Sequence, residues 1–191
     1  MSSYSEALSR IKNSVSRPTL YKIVMPSRFI GRQTNDYLEY FCNTAQVPSV
    51  RYESLTVAGH SAMGITRLQP SLPIWTNPLE VSVIENSDFT TYRDFKEWFD
   101  ETGQNIDQTG SRNIRLKYFD NIVGDIELVK LENPDNLSGS GGGEYKEVMK
   151  VKFLNAYIKS LGPLQFDTNQ SNSFTTFRLE FNYETYTTEF S

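Results

Sequence analysis

Residues 175–185 read TTFRLEFNYET, and the fold class follows from them. Phe177, Leu179, Phe181 and Tyr183 alternate with Arg178, Glu180, Asn182 and Glu184, so a strand over Thr175–Thr185 has one buried face and one wet face. The same period of two recurs upstream. Met149, Val151 and Phe153 oppose Lys150 and Lys152 in a strand expected over Glu147–Ser160, and Leu79, Val81 and Val83 share one face of another. Strands this polar on one side suit antiparallel sheets whose outer face meets water, in bulk solvent or in the interior of a channel.

Working outward, the turn Asn86-Ser87-Asp88 leads into the one convincing helix, which Ser87 or Asp88 is placed to cap. Tyr92, Phe95 and Phe99, with Trp98 beside them, recur at helical spacing, and Gly103 is the expected stop, so the helix packs on a sheet. Further strands are expected at Leu20–Met25, at Tyr37–Thr44 and from Asn113 to Phe119, with a turn at Asp120-Asn121 into Gly124–Leu131. Residues 27–36 read as polar loop. Residues 1–16 read as a mobile arm, and 17–191 as a single domain. Two segments fall outside this pattern. Residues 51–78 alternate loosely and carry Gly59, Gly64, Pro70, Pro73 and Pro78, which suits an extended hairpin that touches a partner, since a compact domain rarely keeps so long a stretch without apolar patterning. Residues 132–146, with the run from Ser138 to Gly143, read as a flexible insertion.

Composition excludes several classes of function. The chain has 191 residues, enough for one sizeable core, and a net charge of −4, which lacks the basic footprint of tight nucleic-acid binding. Residues 1–75 hold eight Lys or Arg against four Asp or Glu, and residues 76–191 hold eleven against nineteen, an asymmetry that suits association between like subunits. No apolar run reaches membrane-spanning length, no membrane anchor is expected, and MSSYSEALSR is not a secretion signal, so folding in a cytoplasm is expected. The single cysteine, Cys42, and single histidine, His60, provide neither a disulfide nor a zinc cluster.

Catalytic motifs are equally sparse. His60 precedes Ser61, but sequence neighbours do not make a triad, and a loop or interface histidine is the simpler reading. Cys42, beside Tyr40 and Phe41, reads as a small hydrophobe. The Gly-rich run lacks the Gly-Lys-Ser/Thr ending of a phosphate loop and is followed by Glu144. Asp100-Glu101 have no partners at metal-ligand spacing, and Trp98 faces the core and does not offer a sugar-stacking platform. The sequence therefore gives no catalytic, metal or cofactor residue: no enzyme and no cofactor.

The ordered landmarks point elsewhere. Arg17-Pro18 precedes the first strand, Gln46-Val47-Pro48 introduces the long hairpin, and Leu79–Glu85 passes through Asn86 into the helix bearing Phe95 and Trp98. YIKSLGPL, at 157–164, then leads through Phe166-Asp167 to the terminal alternating strand. In this combination the chain resembles the tail tube protein family of contractile-tailed, T-even-like bacteriophages over most of residues 17–190, departing from it in the 132–145 insertion, the 26–36 loop and the N-terminal arm. The resemblance implies an antiparallel two-sheet β-sandwich or rolled barrel with one flanking helix, whose subunits join edge to edge in hexameric rings that stack into a tube. It implies a non-enzymatic virion component, assembled in the bacterial host cytoplasm. The implied partners are further copies of the chain, the sheath, the baseplate tube initiator, the tail terminator, and phage DNA that passes through the lumen without specific binding. Within the hairpin, Arg51, Glu53, His60 and Arg67 are the implied inter-ring contacts. Alternatives are a baseplate-proximal initiator ring, the tube of a phage-derived injection machine, or a carbohydrate-binding β-sandwich.

Overall fold

The computed structural model describes residues 18–57, 67–74, 78–103, 105–106, 112–113, 117–132, 145–164, 166 and 174–191. In chain order the strands are β1 (Tyr21–Val24), β2 (Cys42–Gln46), β3 (Arg51–Val57), β4 (Arg67–Ile74), β5 (Leu79–Ile84), β6 (Asn105–Ile106), β7 (Arg112–Asn113), β8 (Gly124–Glu132), β9 (Lys146–Leu161), β10 (Thr176–Asn182) and β11 (Thr185–Phe190). The helices are α1 (Arg32–Phe41), α2 (Thr90–Gly103) and the single turn α3 (Phe119–Ile122).

The 16-residue strand β9 organises the domain because it belongs to two sheets. Its first half pairs with β8 on one side and β11 on the other, extending to β1 beyond β8. Its second half pairs with β10, which continues to β5 and β2. All these pairings are antiparallel. The change of sheet occurs at Asn155, whose φ of 53° lies in the left-handed region, and the β8 register slips opposite it between Gly124 and Ile126. A bulge of this kind bends a strand around the corner of a sandwich. Asn tolerates the left-handed region better than most residues, and here its Nδ2 donates to Glu184 Oε2 at 2.6 Å.

The alternation read from sequence is realised in the core. Phe177, Leu179 and Phe181 of β10 and Leu79, Val81 and Val83 of β5 are buried in one cluster with Ile126, Leu128, Val151 and Phe153 of the other sheet. Helix α2 covers this cluster: Phe95 lies edge-on to Phe177 and Phe181, and Trp98 packs on Phe181 with ring centroids 5.6 Å apart. Phe29 stacks on Trp98 at 4.8 Å, while the Trp98 indole N–H donates to the Ile122 carbonyl at 3.1 Å. Gly162 allows the chain leaving β9 to close on β10: its N–H donates to the Arg178 carbonyl at 2.7 Å, and an added Cβ would sit 2.8 Å from that oxygen.

Several sequence expectations are corrected. The strand expected over Tyr37–Thr44 is instead the end of α1 followed by β2, and the loop expected at 27–36 already contains the start of that helix. Aromatic enrichment favoured a strand, but tertiary contacts favour the helix. Leu38 and Thr34, one turn apart, are buried, and Tyr37 stacks on Phe41 at i, i+4. Thr34 Oγ1 donates to Asp94 Oδ2 of α2 at 2.6 Å, and Asn35 bonds both backbone groups of Met25 beyond β1. The sandwich therefore carries a second flanking helix. Of the strand expected from Asn113 to Phe119, Asn113 lies in β7, 114–116 lie outside the described residues, Lys117 and Tyr118 are not in a strand and Phe119 begins α3, which also contains the turn expected at Asp120-Asn121. The terminal strand is broken between Asn182 and Thr185, so that β10 and β11 serve different sheets. The arm at 1–16, Arg17 and nearly all of the 132–146 insertion lie outside the described residues.

Candidate assembly interface

The hairpin β3–β4 is the element that the rest of the domain does not explain. Its strands bond to each other, from Arg51 opposite Ile74 to Val57 opposite Arg67, with a slip between Tyr52 and Ser54. Every side chain described in β3 is exposed, including Tyr52 at 63% and Leu55 at 57%, and β4 exposes Leu68 at 70% and Leu72 at 78%. An isolated two-stranded ribbon is marginal in water, and apolar side chains bare on both strands call for a covering surface. The base is fastened where Tyr186 donates to the Pro48 carbonyl at 3.1 Å.

Of the four residues implicated by resemblance, Arg51 and Glu53 are exposed on β3, and Arg67 opens β4 opposite Val57. Arg51 and Arg67 stand at opposite ends of the ribbon, about 20 Å apart at strand rise, so the four do not converge on one spot. His60 lies outside the described residues. Sequence reading missed the apolar members of the hairpin, Tyr52, Leu55, Leu68 and Leu72; their loose alternation was visible, but their lack of a partner was not.

Three strand edges are also open. Among the described residues, β1 and β11 bound one sheet and β2 the other with no strand beyond them, so the sheets do not close within one chain. The outer faces are laced with ion pairs. On one, Lys150 meets Glu127 at 2.7 Å and Lys152 meets Asp125 at 3.0 Å; on the other, Lys159 meets Glu180 at 3.4 Å and Arg178 pairs with Glu80. The hydrogen bond from Lys150 to Glu127 raises the Lys150 pKa. A ladder of opposite charges across neighbouring strands keeps a sheet face wet without leaving either sign in excess.

The helix N-terminus departs from expectation in its cap. Neither Ser87 nor Asp88 serves. Asn86 Oδ1 accepts from the Thr90 N–H at 3.0 Å, and the buried Glu85 accepts from the Tyr92 N–H at 2.9 Å and the Asn86 N–H at 3.1 Å. Burial raises the Glu85 pKa against the lowering effect of these N–H donors. Cys42 opens β2 half-buried, with its thiol pushed up to about 11 chiefly by burial, which fits a packing role. Asp100 and Glu101 pair with Lys96 and Lys117. Trp98 is 1% exposed and offers no face to a sugar. Among the described residues no group of three or more His, Cys, Asp or Glu is placed to hold a metal, and no helix is long and apolar enough to cross a membrane.

The profile of a family described as phage tail tube protein matches residues 11–189. The chain belongs to the phage tail tube protein family. Solved structures of the same fold support the assignment at the level of architecture. A chain of the PVC extracellular contractile injection system, in its sheath-tube complex in the extended state, superposes with a TM-score of 0.57 at 12% identity, covering 96% of this chain and 97% of that one. The anti-feeding prophage tube-terminating cap gives 0.55 at 10% identity, covering 93% and 92%, and the PVC sheath/tube terminator gives 0.54 at 12%, covering 92% and 96%. No individual curated protein matches the sequence significantly. The antiparallel, mainly β fold expected from residues 175–185 and their counterparts is thus the fold of this family, and a structural role in a tail tube follows from membership.

Proposed function

We propose that the chain is the repeating subunit of the inner tube of a contractile phage tail, forming hexameric rings that stack into a conduit for DNA ejection. The observation that carries this reading is the exposed hairpin β3–β4, whose bare apolar side chains have no cover among the described residues and would find it in a neighbouring copy. Within a ring, the open edges of β1, β2 and β11 are the places where adjacent subunits add strands, which removes an aggregation hazard by using it. Between rings, Arg51, Glu53, His60 and Arg67 supply polar contacts around the hairpin. The 1–16 arm and the 132–146 insertion decorate a single domain spanning 17–191.

A lumen that passes DNA must not hold it. Whichever outer face turns inward, Lys150, Lys152, Lys159 and Arg178 are each engaged by a carboxylate, so a passing phosphate would have to break an ion pair to gain one. The chain then acts in the virion tail without catalysis. Its partners are the sheath outside, the initiator at the baseplate and the terminator at the far end, after assembly in the host cytoplasm. The fold shared with injection-system chains favours, as a second reading, the tube of a phage-derived injection machine. Electron microscopy of the purified full chain tests the proposal: hollow tubes or six-fold rings are expected, and monomers persisting across salt and concentration would falsify it.

A further inference from the structure

We infer that the hairpin of one copy docks on an aromatic patch formed by Phe89, Phe166 and Phe174 of the next copy. This rests on the stacked-ring reading above and adds to it the surface that receives the hairpin.

Strand β5 acts as a ruler between the two features. The hairpin leaves the sheet after Gln46, which is paired with Glu80, and returns just before Leu79, so its base lies at the Leu79 end of β5. The patch lies at the other end. There Ile84 pairs with Thr176, and the next N–H, of Glu85, donates to the Thr175 carbonyl at 2.8 Å, so that Phe174 is one residue beyond. The chain then turns through Asn86 to Phe89, whose ring lies 6.1 Å from that of Phe166. Five strand steps, about 17 Å, separate the two ends. Among the described residues the ribbon and the patch are each bare within one chain, and a contact between the ribbon of one molecule and the patch of another would cover both. Repeating that contact gives an open head-to-tail stack.

Phe89 adds a second argument. Its φ of 54° is a conformation that a bulky residue adopts only at a cost. The turn holds it there, with the Phe89 N–H donating to the Asn86 carbonyl at 3.3 Å and the Phe89 carbonyl accepting from Arg93 at 3.1 Å. The residue keeps 38% of its surface exposed beside Phe166, which is 74% exposed, and Phe174, one residue before the bonded Thr175, is 78% exposed. A strained residue that presents an aromatic ring to solvent is accounted for if a partner covers it.

The test uses two experiments on the full chain. A photo-crosslinking phenylalanine analogue replaces Leu68, and this protein is co-assembled with isotope-labelled wild type. Peptides containing Phe89 or Phe166 joined to the hairpin across labelled and unlabelled chains are expected; assembled tubes whose cross-links fall elsewhere overturn the assignment. In parallel, Phe89→Gly, which also relieves the left-handed strain, and Phe166→Ser are compared with wild type. The concentration needed for tube growth should rise about ten-fold or more, with monomer melting unchanged, or higher for Phe89→Gly. Unchanged tube growth in both variants overturns the inference while leaving the stacked-ring reading intact. Wild-type protein that never assembles removes that reading, and the inference with it.

Discussion

The corner at Asn155 provides a measurement of how the sandwich is held. Asn155→Val and Asn155→Gly both remove the side-chain hydrogen bond to Glu184, a partly exposed, charge-assisted contact contributing about 1 kcal/mol. They differ in the backbone. Gly accepts a φ of 53° freely, although it costs roughly 0.5–1 kcal/mol in chain entropy, an amount similar to the strain it relieves. Val must keep the left-handed conformation at a cost of about 1–2 kcal/mol or leave it and lose the β9 bend. The expected destabilisations are therefore about 1 kcal/mol for Gly and about 3 kcal/mol for Val. For a domain of this size each kcal/mol moves the midpoint by about 2–4 °C, so the two variants should melt about 4–8 °C apart. Thermal unfolding followed by far-ultraviolet circular dichroism reads the difference directly. Equal midpoints, or Val above Gly, would refute the idea that the conformation of this one residue turns the strand between sheets.

Three further outcomes are expected. Glu85 has a folded pKa above its ordinary value of 4.5, so the folded state binds its proton more tightly than the unfolded one, and its contribution to stability is complete below pH 4.5 and lost as pH rises through the folded pKa. Glu85→Gln cannot titrate, so its urea stability relative to wild type should improve as pH rises from 4.5 through the folded pKa and level off above it, and a pH-independent difference would contradict this. Phe181→Ala empties a fully buried site against Phe95 and Trp98 and should cost about 3–5 kcal/mol in urea unfolding; a loss under 1 kcal/mol would mean that the core lies elsewhere. Serine at Leu55, Leu68 and Leu72 together should leave the monomer melting temperature within a few degrees of wild type, since these side chains are bare in the single chain, and should abolish tubes in sedimentation. Intact tubes would show that the hairpin is not an interface.

Legibility of the fold followed burial. Strands β5, β9 and β10 and helix α2 were visible because their core faces, Leu79-Val81-Val83, Val151-Phe153, Phe177-Leu179-Phe181 and Phe95-Trp98, repeat at the period of their own backbone. Helix α1 was not, because only Thr34 and Leu38 are buried in it, and its aromatics Tyr37, Tyr40 and Phe41 carry strand propensity into a helix held by Asp94 and Met25 from elsewhere in the chain. The cap of α2 was misplaced by one or two residues for a related reason: Glu85 looks like a surface acid in sequence, and only burial against the helix N-terminus makes it the acceptor.

The sequence by itself determined the class of fold, antiparallel and mainly β, together with the likeness to tail tube proteins and the anomaly of residues 51–78, because side-chain period and ordered landmarks are local properties of the chain. The tertiary structure alone decided that β9 serves two sheets through Asn155, that among the described residues the edges of β1, β2 and β11 stay open, and that the apolar side chains of the hairpin lie bare while Phe89, Phe166 and Phe174 are exposed beyond the Ile84 end of β5. Those are relations between residues far apart in the chain, and no local pattern records whether a surface has found its cover.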